Sequence, residues 1–180
     1  NINSWNFLAG LTTPMTFTAS ANSMQFAAGV ATPLVNSSAS AQTFDCIVRQ
    51  FWSGGTQTGG VANRTWNATA GSMTYKEIRL RPDAFLAAAT VGGTLTFGGG
   101  FNHTVNTTMN LEGSWGTRTA GIIKNGAGTL LLKGSGNYNG SVVINAGIVR
   151  VHPKRFHRGL RRGRVVGPYN VFHQRRAASG

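Results

Sequence analysis

Four carboxylates, one thiol, four histidines and seventeen lysines and arginines are the groups in this 180-residue chain with the chemistry for catalysis or ligand binding. The acids are Asp45, Glu77, Asp83 and Glu112. A polysaccharide lyase or hydrolase needs several acidic or basic groups converging on one groove. These four are scattered, with no repeated spacing to align them on neighbouring segments, so the chain is not expected to be an enzyme. Cys46 lies in "FDCIVR", alternating with Phe44 and Val48 and with no histidine nearby. That pattern describes a packed core thiol and not a nucleophile. A single cysteine also excludes an intrachain disulfide.

The remaining candidates read the same way. His103 stands isolated and is expected in a loop, while His152, His157 and His173 fall in a basic tail without thiol or carboxylate neighbours. No metal or other cofactor is expected from such a set. "GGGFN" and "NGAGTL" are glycine-rich but lack the lysine and hydroxyl residue of a phosphate loop, and no long helix follows them. Trp5, Trp52, Trp66 and Trp115 would suit a sugar-stacking surface, but packing in the core or at corners is the commoner fate of tryptophan. The Asn-x-Ser/Thr sites at Asn36, Asn63, Asn67, Asn102, Asn106 and Asn139 would matter in a eukaryotic secretory pathway and otherwise follow from Asn/Thr-rich composition.

Charge divides the chain. Only 12% of residues are charged and 41% are hydrophobic, so surface polarity must come from Ser, Thr, Asn, Gln and Gly. Such an uncharged polar surface is a feature of extracellular β-proteins. Up to residue 151 there are nine basic residues and all four acids; from 152 onward there are eight basic residues and no acid. The formal charge of +13 therefore belongs mostly to the last 29 residues. The chain begins at Asn1 and reads as a piece of a larger protein. No apolar run approaches the roughly 20 residues that span a bilayer as a helix.

The elements that would position these groups are short strands. Strand-like runs occur at 23–29, 43–52, 72–80, 93–99, 104–113, 128–134, 140–145 and 147–151, with Leu95 and Phe97 sharing one face, as do Leu130 and Leu132. Glycine and asparagine punctuate them, so "GIIKNGAGTLLLKGSGNYNGSVVINAGIVRV" (121–151) reads as three strands and three tight corners. The connectors are Gly/Ser/Thr/Asn-rich, as over 53–71. Only 81–90 has helix-like composition, one turn with Asp83 as its cap after Pro82. Sandwich, up-and-down barrel and parallel solenoid would all fit strands at this interval. Self-similar units ("GGTLTFGG", "GAGTLLLKG", "NGSVVIN") favour the solenoid. In it the apolar face is buried and small uncharged residues such as Thr and Asn line the outer one.

The run "KNGAGTLLLKGSGNYNGSVVINAGIVRV" resembles the autotransporter-associated β-strand repeat, also called the passenger-associated transport repeat. Lys124, Gly126, Gly128, Thr129, Leu130, Leu132, Gly134, Asn137, Tyr138, Gly140, Ile144, Asn145, Ala146, Gly147, Val149 and Val151 stand where that family's pattern places them. The sequence departs from the pattern at Val142, Val143 and Ile148, where threonine is usual, and entirely after Val151. The resemblance implies an all-β, right-handed parallel β-helix: irregular coils over 1–120, the repeat over 121–151, and a basic tail over 152–180 outside the solenoid. It implies a structural segment of a secreted or surface-displayed bacterial passenger, exported through an outer-membrane barrel elsewhere in the parent chain. In this reading the repeat residues pack and do not react. The second reading is an adhesin-type module for a glycan or host surface, and the third a carbohydrate-active β-helix enzyme. Nucleic acid would engage only the tail. That tail is so unlike the rest, with all twenty threonines at or before Thr129 and no acid after Glu112, that it reads as translated out of frame or as spanning a sequencing or assembly error.

Overall fold

The computed structural model describes residues 4–19, 23–26, 31–51, 64–81, 94–111, 121–134 and 141–152. The expected helical turn beyond Arg81, and the tail after His152, lie outside the described residues. Thirteen strands run through the described chain, and no helix occurs in it. They are β1 (Trp5–Phe7), β2 (Met15–Phe17), β3 (Ser23–Phe26), β4 (Leu34–Asn36), β5 (Gln42–Phe51), β6 (Arg64–Ala68) and β7 (Met73–Arg81). Then follow β8 (Thr94–Gly98), β9 (His103–Leu111), β10 (Gly121–Lys124), β11 (Thr129–Leu132), β12 (Val142–Ile144) and β13 (Ile148–Val151).

The protein is all-β over these residues and is built of two parallel sheets. One has six strands in the order β1-β4-β6-β8-β10-β12. The other has seven, β13-β11-β9-β7-β5-β2, with β3 also paired to β5. From β4 onward the chain alternates between the sheets, and each return lays a strand beside its predecessor in parallel. A parallel pair cannot be closed by a hairpin and needs a crossover; here the strand in the opposite sheet lies on that crossover.

Register converts alternation into columns. In the first sheet Trp5, Leu34, Trp66, Phe97, Lys124 and Ile144 follow one another across the strands. In the second, Phe17, Phe44, Tyr75, Val105, Leu132 and Val151 do the same. The columns face each other: Trp66 meets Tyr75 at 5.1 Å between ring centroids, and Trp5 meets Phe17 at 4.6 Å. The core is the apolar filling between the two inner faces. Leu130, Leu132, Ile144 and Val149 are buried and Val151 is half-buried against them, as the sequence predicts, while Leu131 points away. Burying such a side chain stabilises the fold by roughly 1.5–3 kcal/mol.

The outer face of the second sheet carries the column Thr16, Thr43, Thr74 and Thr104, continued by Leu131 and Arg150. Small uncharged neighbours stack directly on one another without repulsion. Register shifts once between β5 and β7 and once between β7 and β9, near Lys76 in both cases. Such bulges reset which residues face inward. Cys46 stays inside, buried and unbonded to another cysteine, and burial raises its thiol.

Three expectations are corrected. Residues 64–68, read as connector, form β6, whose Arg64, Trp66 and Ala68 all face inward. "GIIK", not counted among the three strands read from the sequence, forms β10, so the 121–151 segment contains four strands. His103, read as a loop residue, begins β9 and is fully buried. Its ring lies in the inner column of Met73 and Leu130, where period-two alternation with Val105 puts it.

Candidate functional site

A polar constellation forms at the stacked corners that follow the first sheet. Lys124 closes β10 at an inner position, between Phe97 and Ile144 in register, and its side chain is fully buried. A buried ammonium must find acceptors. Its Nζ donates to the backbone carbonyls of Asn125, at 2.7 Å, and Gly126, at 2.8 Å. Lys124 thus ties down the corner that its own strand enters. Burial lowers its pKa to about 8, so the ammonium is still charged at neutral pH.

The corners stack on one another through backbone. Asn125 N–H donates to the Phe97 carbonyl at 2.9 Å, and Asn145 N–H to the Lys124 carbonyl at 3.0 Å. Between the same two corners Asn145 Nδ2 donates to Asn125 Oδ1 at 2.8 Å. Gly126 and Gly147 both turn through the left-handed region, at φ 79° and 77°. A side chain on Gly147 would also overlap the carbonyl oxygens of Gly126 and Gly128 and come within 3.1 Å of Lys124 Nζ. A Cβ on Gly128 or Gly134 would overlap the backbone carbonyl of Phe101 or Thr107 more severely still.

An analogous plug sits nearer the N-terminus with different chemistry. Asn36 is buried, donates Nδ2 to the carbonyls of Ser40 and Gly71 at 3.0 Å each, and accepts the Ser38 N–H at Oδ1, 3.1 Å away. Gln42, also buried, donates to the Ser40 carbonyl and accepts the Met15 N–H. Nothing in the sequence marked Asn36 beyond its place in an Asn-x-Ser triplet.

Next to the Lys124 corner lies His103. Its Nε2 is 2.9 Å from the Gly98 carbonyl and its Nδ1 3.1 Å from the Tyr75 hydroxyl. Burial, opposed by the Gly98 hydrogen bond and reinforced by the Lys124 charge, lowers His103 to about 4. Burial likewise holds the Tyr75 phenol well above its ordinary range.

Of the sixteen repeat residues, the structure brings Lys124, Gly126, Gly128, Asn145, Ala146 and Gly147 together at the corners; Ala146 N–H donates to the Lys124 carbonyl at 3.3 Å. Leu130, Leu132, Ile144, Val149 and Val151 belong to the core, and Thr129 donates its N–H to Asn102 Oδ1 at 2.8 Å. Asn137, Tyr138 and Gly140 lie outside the described residues. So do Asp83, Glu112, Trp52 and Trp115. The two described acids sit apart from the corners: Asp45 is exposed with Lys76 at 3.5 Å, and Glu77 pairs with Arg79. Trp66 is fully buried, edge-on to Phe97 at 6.0 Å. Among the described residues no three His, Cys, Asp or Glu side chains cluster as metal ligands would.

Comparison with known protein families, curated proteins and solved structures gives no match. What the arrangement does chemically is therefore read from its own geometry. Every polar group discussed at these corners is engaged by backbone or by another side chain of the same chain. The lysine braces its own corner through two backbone carbonyls.

Proposed function

We propose that this chain is a structural segment of a bacterial autotransporter-like passenger, a right-handed parallel β-helix displayed at the cell surface or secreted. The observation that supports the reading is the continuous parallel pairing from β1 to β12 in one sheet and from β2 to β13 in the other, with register shifts only at the bulges near Lys76. Apolar columns fill the space between the sheets. Such an arrangement grows by adding strands at its ends, and its stability is close to a sum of nearest-neighbour terms. A stable unit can therefore nucleate folding of the next one. The braced corners of residues 121–151 suit the role of nucleus, and folding outside the membrane would bias an exported chain against slipping back through a barrel. In this reading the segment is a scaffold and not an enzyme.

The test is an export assay. The intact chain is placed between a secretion signal and an outer-membrane barrel, and its surface exposure is followed by protease accessibility on whole cells. Removing residues 121–151 is expected to lower the displayed fraction several-fold. Undiminished display of the shortened chain would contradict the export role. The adhesin reading rests on the outward threonine column, Thr16, Thr43, Thr74 and Thr104. It would replace the stalk reading if the displayed chain held cells to a glycan-coated surface and arginine in place of Thr74 abolished that.

A further inference from the structure

Arg64, His103 and Lys124 are buried basic side chains, whereas the described acids are not: Asp45 is exposed and Glu77 half-buried. His103 is the one whose charge is optional near neutral pH. Its surroundings come from four strands. Tyr75 of β7 stacks on it at 6.1 Å and 5° between planes, and Phe97 of β8 meets it edge-on at 5.2 Å. Leu130 of β11 lies beside it in register, and the Lys124 ammonium of β10 acts on it electrostatically. Among the described residues the titratable groups facing it are thus a phenol and a cation, with no carboxylate.

The hydrogen bonds accommodate the neutral ring as its Nε2–H tautomer. The Gly98 carbonyl can only accept, so Nε2 carries the hydrogen and Nδ1 offers its lone pair to the Tyr75 hydroxyl. On protonation Nδ1–H would donate to the Tyr75 oxygen, and that hydroxyl would turn to Met73 Sδ, 3.1 Å away. The hydrogen bonds can therefore be re-formed. The new charge, however, would have no water to solvate it and another cation close by.

We propose that His103 makes this fold acid-responsive: the core accepts the imidazole only when neutral, so mild acid loosens its strand β9 from the neighbouring β7 and β11. This inference is independent of where the protein acts. The folded-state value of about 4 lies below the ordinary 6.5 of an open chain. As pH falls, protons bind the opened state first. The stability associated with the neutral ring is complete above about 6.5 and is lost on the way down to 4. The equilibrium constant for unfolding should rise roughly 30-fold between about pH 7.5 and about pH 5.

The experiment is denaturant unfolding of the intact chain at these two pH values, for wild type and His103→Gln. Glutamine is chosen because Gln42 already occupies the same column, buried and bonded to backbone. The variant retains the other three of the four histidines. Wild type should lose roughly 30-fold and the variant less than about 3-fold; equal losses would overturn the proposal. Should the variant fail to fold, nitrogen-resolved NMR of the wild-type imidazole decides. An Nε2–H tautomer persisting below about pH 5 supports the proposal, and a titration midpoint near the ordinary 6.5 refutes it.

Discussion

Replacing Gly147 with valine is expected to destroy the packed arrangement of residues 121–152. Two costs act at once. At φ 77° a β-branched residue is strained by about 1–3 kcal/mol. Its Cβ would also overlap the carbonyl oxygens of Gly126 and Gly128, which are backbone atoms of the preceding corner and cannot swing aside. The corner would have to open, and with it the Asn145 and Ala146 N–H bonds to the Lys124 carbonyl. A loss above about 4 kcal/mol is expected, in the range reserved for named structural defects. Ala127, exposed in the corner before it, is the control, where valine should change stability by less than about 1 kcal/mol. Thermal unfolding of both variants checks this. Equal melting of Gly147→Val and wild type would remove the stacked corner from the account.

Lys124→Ala is the second large effect. Truncation leaves the carbonyls of Asn125 and Gly126 without their charged donor, and an unpaired buried acceptor costs about 1–3 kcal/mol. Loss of the aliphatic stem between Phe97 and Ile144 adds a cavity. Together these should cost about 4 kcal/mol. Lys124→Met keeps the stem and loses only the ammonium, so it should fall between wild type and alanine. This ordering in denaturant midpoints separates the brace from the packing. A methionine variant as stable as wild type would mean that the two carbonyl bonds contribute nothing.

Much of the strand pattern was legible because alternation survives in short runs. Leu95 with Phe97 and Leu130 with Leu132 mark inner faces, and all four are buried. The strands that escaped notice did so for physical reasons. β6 reads Arg-Thr-Trp-Asn-Ala, and an inward arginine hides the apolar alternation of Trp66 and Ala68. β1, β2 and β4 have three residues each, too few for a period to show. Two-sheet alternation was not visible either, because it depends on which strand lies across from which. At the corners the glycines were legible as turn residues, whereas Lys124 was marked only by the family resemblance. That Lys124 points inward and spends its charge on backbone carbonyls was not legible, since a lysine ending a strand usually faces water. Asn36 and His103 were missed on the same assumption, that a polar residue belongs outside.

The central claim is that successive strands of each sheet stack in parallel and in register. Thr16 and Arg150 are both exposed and belong to one outward column, five strand steps apart. At about 4.8 Å per step their backbones are about 24 Å apart. Spin labels at Thr16→Cys and Arg150→Cys, in a Cys46→Ala background, measure this separation directly by pulsed electron resonance. The account predicts one narrow distribution between about 20 and 30 Å, allowing for the reach of the labels. A broad distribution, or a dominant distance beyond about 40 Å, would contradict the stacked arrangement.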